Sequence, residues 1–394
     1  MLASVRARVG AVGPALGLLA LIGFVAQVGI AVMLPLLPLF ATELGASPFV
    51  LGLLTSAFAV TNGLGQLGAG LLTNRVGSRR FLAGGLALYA SMNALITTAA
   101  TAFWLLTWRA LSGFGGGALI VSQRIYLVEV TAPERRAFAN GILSAAASAG
   151  MVAGPAFGGL IAAVGGLRAP FVVVAVTSGI AFLASLALPR PRDHADATAD
   201  GAGGEQDDRL ALGPIAALLL ANLAMLAGYG AFITTYAPLA TLRLGWTTVD
   251  VGIAFSFFGA GSILLGPPLS HLADRTSRRG VAMAGTFPVA LFGLSLVAGL
   301  PMAAVFAVAF VAGAGLTAYN ASWYALLADV SSHRTRGRVF GIVSAVSNAG
   351  IVIGATSAGI LWERVDIGVA MLSGALAIVL ALVPLSLLRV PSRG

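Results

Sequence analysis

Two polar stripes run through otherwise apolar stretches of this 394-residue chain. Arg109, Gly116 and Gln123 recur at seven-residue intervals, with Arg124 beside the last of them. Asn222, Tyr229 and Tyr236 repeat that interval, with Met225 and Phe232 between them. Seven residues is close to two helical turns, so each set lies near one face of a helix. A third group, Tyr319, Asn320, Trp323 and Tyr324, and a pair, Phe24 and Gln27, stand in two further apolar runs. Such side chains stack and hydrogen-bond, which is binding chemistry, although tyrosine and tryptophan stripes also serve packing and interfacial anchoring. Covalent chemistry finds no support. The chain has no cysteine, its three histidines (194, 271 and 333) lack ligand spacing, and no nucleophile–base pair emerges. No metal, no cofactor and no enzymatic activity are expected.

Arg109 is the charge hardest to explain. An arginine at the centre of an apolar helix costs at least about 2.5–3.5 kcal/mol, so a functional role is the default reading. Arg124 lies nearer a helix end and can snorkel outward. The carboxylates behave differently. Glu43, Glu129, Asp250, Asp274, Asp329, Glu363 and Asp366 all sit at the edges of the apolar runs or between them.

The elements that hold these residues must be membrane spans. Hydrophobic residues make up 58% of the chain and charged residues 9%, against about 25% charged in a soluble domain. The lipid bilayer is therefore the expected solvent. Apolar runs predict spans near 14–39, 48–72, 81–100, 102–128, 138–164 and 169–189, then 212–240, 248–270, 280–299, 301–327, 338–362 and 366–389. The first is too long for a signal-peptide core and is read as a helix that stays. With the N-terminus inside, eighteen arginines fall on the inner segments and three (Arg168, Arg243 and Arg364) outside. That bias predicts a multi-pass plasma (inner) membrane protein with both termini cytoplasmic. The net charge of +9 is thereby explained without nucleic acid, which is not an expected partner.

A shift of 200 residues superposes the two halves without a gap. Gly13-Pro14 falls on Gly213-Pro214, Pro38 on Pro238, Gly52 on Gly252, Arg75 on Arg275, and Gly150, Gly154 and Gly159 on Gly350, Gly354 and Gly359. The expected architecture is all-α: twelve transmembrane helices in two pseudo-symmetric six-helix bundles, residues 1–189 and 210–394. A Pro-, Gly- and Asp-rich cytoplasmic linker, 190–209, joins them.

Two motifs sharpen this. The loop after the second span reads GLLTNRVGSRR (70–80), and its partner after the eighth reads SHLADRTSRR (270–279). The fifth span carries Gly141, Gly150, Gly154, Pro155, Gly158 and Gly159, small residues that let helices approach closely beside a proline kink. At these residues the chain resembles the major facilitator superfamily over its whole length. The fifth-span run is similar to the signature of its drug–proton antiporter branch. Arg109 resembles the arginine that branch carries in its fourth helix, and Pro35 and Pro38 at the end of the first span also resemble that branch. Asn74 departs from the usual Asp of the loop, whereas Asp274 keeps it; Ser78 replaces a usual basic residue.

The resemblance implies the major facilitator fold, with the first, fourth, seventh and tenth spans around a central cavity. On that reading Phe24, Gln27, Arg109, Gly116, Gln123, Arg124, Asn222, Tyr229, Phe232, Tyr236, Tyr319, Asn320 and Trp323 face a small-molecule substrate. Gly70, Asn74, Arg75, Gly77, Arg79, Glu129, Asp274, Arg275, Arg278 and Asp329 would form gates, with Glu129 pairing Arg75 or Arg79 and Asp329 pairing Arg275 or Arg278. The expected function is secondary transport by a monomer that exports amphipathic or drug-like molecules, with protons a candidate counter-ion. An uncoupled facilitator, an organic-anion exchanger and a membrane sensor or receptor are the alternatives.

Overall fold

The computed structural model describes residues 13–190, 212–330 and 336–388. The predicted linker lies outside them except for its first residue. Fifteen α-helices make twelve crossings among the described residues. The first bundle holds α1 (Pro14–Met33) with α2 (Leu37–Glu43), α3 (Pro48–Val76), α4 (Ser78–Thr97), α5 (Ala102–Val130), α6 (Arg136–Gly165) and α7 (Ala169–Leu186). The second holds α8 (Leu212–Leu244), α9 (Thr248–Leu264) with α10 (Gly266–Arg275), α11 (Arg278–Val297), α12 (Met302–Val330), α13 (Arg336–Arg364) and α14 (Ile367–Leu380) with α15 (Leu382–Leu387).

Nine of these stretches are long and apolar enough to cross a membrane, and α9 with α10 make a tenth across a 41° bend. The remaining two crossings are α4 and α5. Arg80 and Asn93 in α4, and Arg109 with the glycine run in α5, lower their apolarity. Arg80 is exposed, whereas neighbouring helices cover the other two: Asn93 is fully buried and Arg109 is 4% exposed. Leu67, Leu71, Phe157, Leu183 and Leu387 turn outward instead, as expected where lipid is the solvent.

Three crossings are broken, each at a proline that lacks an N–H for the carbonyl four residues back. Pro38 spares Leu34, Pro268 spares Leu264 and Pro384 spares Leu380, and helices stop at or beside those positions. Turns repeat as well. Gly45 and Gly245 both take positive φ (76° and 67°), and Gly77 does so at 90° where α3 turns into α4. Glycine meets that requirement without a Cβ penalty.

Packing within the bundles follows the repeat. In the first, α1 packs on α6 and α7, α5 on α3 and α4, and α4 on α7; in the second, α8 packs on α13 and α14, α12 on α9 and α11, and α11 on α14. The bundles meet through two equivalent pairs, α3 with α13 and α6 with α9.

Candidate functional site

A cavity of about 460 Å³ lies at mid-span where α6 meets the second bundle. Its wall is aromatic and aliphatic: Tyr229 and Phe232 from α8, Phe255 and Phe258 from α9, Phe292 from α11 and Tyr324 from α12. The phenylalanines hold one another. Phe232 and Phe292 rings lie 5.1 Å apart, and Phe258 stacks on Phe292 at 6.1 Å. Polar groups are few and uncharged: Asn222, Asn320, Ser148, Ser262, Thr317 and Ser347. Asn222 donates to Ser347 Oγ at 2.7 Å, which leaves its carbonyl oxygen as an acceptor. Ser262 and Thr317 are hydrogen-bonded to each other.

The sequence reading placed thirteen residues at such a site, and the structure brings four of them to it: Asn222, Tyr229, Phe232 and Asn320. Tyr236 is packed instead, its hydroxyl donating to Val251 O at 2.8 Å, and Trp323 is buried with its indole N–H on Leu218 O at 2.9 Å. Tyr319 is fully buried in the core behind the wall. The residues of the first bundle turn elsewhere. Gln27 donates to Met151 Sδ at 3.3 Å and Gln123 to Leu19 O at 3.4 Å. Phe24 presents its carbonyl to Gly150, while Phe58, Asn62 and Tyr89 cover Gly116. Arg124 is exposed and does not line the cavity. Arg109 is buried behind the first bundle's face. Its guanidinium lies 3.8 Å over the Phe58 ring, Nη1 lies 3.9 Å from Met33 Sδ, and Nε finds no hydrogen-bond acceptor.

Missed were Phe255, Phe258, Gly259 and Ser262, which line the wall from α9. Their i, i+3, i+4, i+7 spacing is a helical face legible in the sequence. Missed too were Ser148, Met151 and Val152, which α6 contributes.

At the arginine-rich end, Arg278 bridges Asp274 and Asp329, with a 2.7 Å contact to each. In the first bundle Glu129 does not pair with Arg75 or Arg79. Ser78, the residue equivalent to Arg278, donates to it. Arg79 reaches the carbonyl of Leu186, and Arg279 reaches the equivalent Ser386. Arg75 and Arg275 are exposed, and a Cβ at Gly70 would meet nothing within 4 Å. The Asn74 side chain lies outside the described residues.

The fifth-span glycines divide between two partners. Gly150, Gly154 and Gly158 abut the α1 backbone at Phe24, Val28 and Val32, whereas Gly159 abuts Thr248 of α9. Pro155 presents its carbonyl to Gly252, and the next amide, Ala156 N–H, donates to Ser256 Oγ at 3.0 Å. Gly141 has open space and packs against nothing. The other pair of helices repeats these contacts: Gly52 abuts the Ala355 carbonyl, Gly359 that of Pro48, and Ser56 meets Thr356 at 2.8 Å. The contacts between bundles, at Gly52, Ser56, Gly159, Gly252, Ser256 and Gly359, lie towards the ends away from the arginine-rich loops. There Glu363 also accepts from Ser47 Oγ at 3.1 Å and from Phe49 N–H at 2.9 Å, joining the bundles. Nearer the arginine-rich ends, Gly68, Gly70, Gly141 and Gly341 have no neighbour within 4 Å of a built Cβ.

Two repeated six-helix bundles meeting at a mid-span cavity define a multi-pass α-helical membrane fold. The sequence profile of the Major Facilitator Superfamily matches residues 19–216 and 218–394, and the chain belongs to that family. Among curated relatives, Multidrug resistance protein 2 of Bacillus subtilis is 27% identical over 58% of this chain and 58% of its own length. Quinolone resistance protein NorA of Staphylococcus aureus (strain MSSA476) is 25% identical over 60% of this chain and 62% of its own. The chain thus spans less than two thirds of either relative. Solved structures match more fully. The nucleoside transporter NupG superposes with a TM-score of 0.77 at 13% identity, covering 95% of this chain and 99% of that one. A bacterial homologue of the human lysosomal transporter Spinster, in an inward-facing conformation, gives 0.72 at 17% identity over 95% and 94%.

Proposed function

We propose that this protein is a secondary transporter that exports small amphipathic or drug-like molecules across the plasma membrane by alternating access. Residues 1–189 and 210–394 rock against each other about the cavity, both termini lie in the cytoplasm, and one chain suffices. The observation that carries the reading is the asymmetry of the inter-bundle contacts. Glycine-to-backbone packing joins the bundles at the ends away from the arginine-rich loops, whereas nearer those loops Gly68, Gly70, Gly141 and Gly341 stand free and the α3–α13 pair is held by a side-chain hydrogen bond, Ser344 Oγ to Gln66 Oε1 at 2.8 Å. On this reading the structure is the inward-open state, and substrate enters from the cytoplasm. The multidrug and quinolone resistance proteins among the relatives support the export direction and substrate range.

Everted membrane vesicles test it. Vesicles containing the protein should accumulate a lipophilic aromatic dye above those lacking it when energised; equal accumulation overturns the proposal. A second reading, an uncoupled facilitator, rests on one observation: none of the residues lining the cavity is acidic. Collapsing the pH gradient separates the two. It abolishes uphill uptake by an antiporter and leaves the downhill flux of a facilitator unchanged.

A further inference from the structure

The cavity wall presents aromatic faces and edges, hydroxyls and two amides, and no formal charge. That combination is selective. A permanent cation or anion entering it must shed water without meeting a counter-ion, and desolvation of an unpaired charge outweighs what rings return. Cation–π binding is the one compensation such a wall could offer, and the ring arrangement weakens it. Phe292 is tilted against Phe232 and stacked with Phe258, so these rings pack side by side as a wall and do not close as a cage around a point charge. The one buried cation of the first bundle among the described residues, Arg109, is covered by Phe58 and does not line the cavity. It offers nothing to an anion there. Asn222, held by Ser347, offers an acceptor oxygen, and Asn320 offers both a donor and an acceptor.

We propose that the cavity takes net-neutral, planar aromatic molecules carrying a hydrogen-bonding group, and discriminates against permanently charged analogues of the same shape. This rests on the transport reading for its biological meaning, but the binding preference is a property of the cavity alone. It also bears on coupling: a neutral substrate needs no acidic partner in the site, which matches the uncharged wall.

Three probes of one shape test it with the purified full chain in detergent: acridine at mildly alkaline pH, where it is neutral, N-methylacridinium, and acridine-9-carboxylate. Acridine should bind at least about ten-fold more tightly than either ion, a difference of about 1.4 kcal/mol. Asn320→Asp, which places a carboxylate in the wall, should reverse the order between acridine and N-methylacridinium. Phe292→Ala should weaken acridine binding. The proposal is overturned if the wild-type protein binds either ion as tightly as acridine. It is equally overturned if it binds none of the three, or if Asn320→Asp leaves the order unchanged in a protein that melts normally. Preferential acridine binding without flux in proteoliposomes upholds the site and refutes transport. Flux with equal binding of the ions does the reverse.

Discussion

Arg109 and Ser78 show what one residue can and cannot disclose. The burial of Arg109 was legible, because a charge in the middle of an apolar run has nowhere else to go. Its partners were not, since Phe58 and Met33 come from other helices and no spacing rule links them to it. A guanidinium stacked on a ring, with one N–H unsatisfied, is paid for by desolvation and returns little folding energy. Arg109→Ala should therefore insert and melt like wild type. Transport should fall at least about ten-fold, equivalent to about 1.4 kcal/mol of barrier. Arg109→Lys should recover only part of it, because a lysine cannot reproduce the planar multi-donor geometry. Dye flux in vesicles alongside a melting curve checks both halves; wild-type flux in the alanine variant would assign Arg109 a structural role. Ser78 teaches the converse. It stands where a basic residue is usual, and its hydroxyl reaches Glu129 where Arg278 reaches Asp329. The pairing partner changed while the geometry stayed.

At the scale of elements, apolar runs located every crossing to within several residues, because lipid tolerates little else than helix. They did not locate helix ends. Helix α3 continues to Val76 and α8 to Leu244, since leaving the apolar zone does not oblige the backbone to stop. Nor did hydropathy reveal the interruptions near Leu34, Leu265 and Ala381, whose cause is a missing proline N–H and not polarity. The glycine motif was legible as close packing, but its two-sidedness was not. Its i, i+4, i+8 members face α1, and Gly159 with the Pro155 carbonyl faces α9. That division yields a prediction. A side chain at Gly252 would collide with the Pro155 carbonyl, between bundles and not within one. Gly252→Val should therefore keep its melting temperature yet lose the sealed state. A cysteine at Asn320 should then label faster from outside intact cells than in the parent. Gly68→Val, placed in open space, should leave labelling unchanged. Identical labelling in all three backgrounds would sink the idea that these contacts hold the outer side shut.

For the whole molecule the 200-residue register was the strongest message in the sequence, and it reappears in individual bonds. Arg79 and Arg279 reach the carbonyls of 186 and 386; Gly52 meets 355 as Gly252 meets 155; Gly159 meets 248 as Gly359 meets 48. The cavity breaks the symmetry. The second bundle supplies most of its wall, while the equivalent region of the first is occupied by Phe58 over Arg109, a difference that depends on which way each side chain turns. Orientation in the membrane is the remaining global property, and the proposed one rests on charge. Arginines crowd the loops after α3, α5 and α9–α10, and the opposite ends hold Arg168, Arg243 and Arg364. Two of these three have local work at their own face: Arg168 binds the carbonyls of Thr97 and Ala99 at 3.0 Å each, and Arg243 pairs with Asp366. A membrane potential and anionic inner lipids both favour the crowded side facing the cytoplasm. The chain has no cysteine, so single-cysteine variants need no prior removal. Ala132→Cys, exposed between α5 and α6, should react in intact cells only with membrane-permeant maleimides, whereas Ala100→Cys, exposed between α4 and α5, should react with impermeant ones as well. Neither site lies in a bundle core, so both variants should fold. The opposite labelling pattern would invert the topology and, with it, the direction in which the cavity faces.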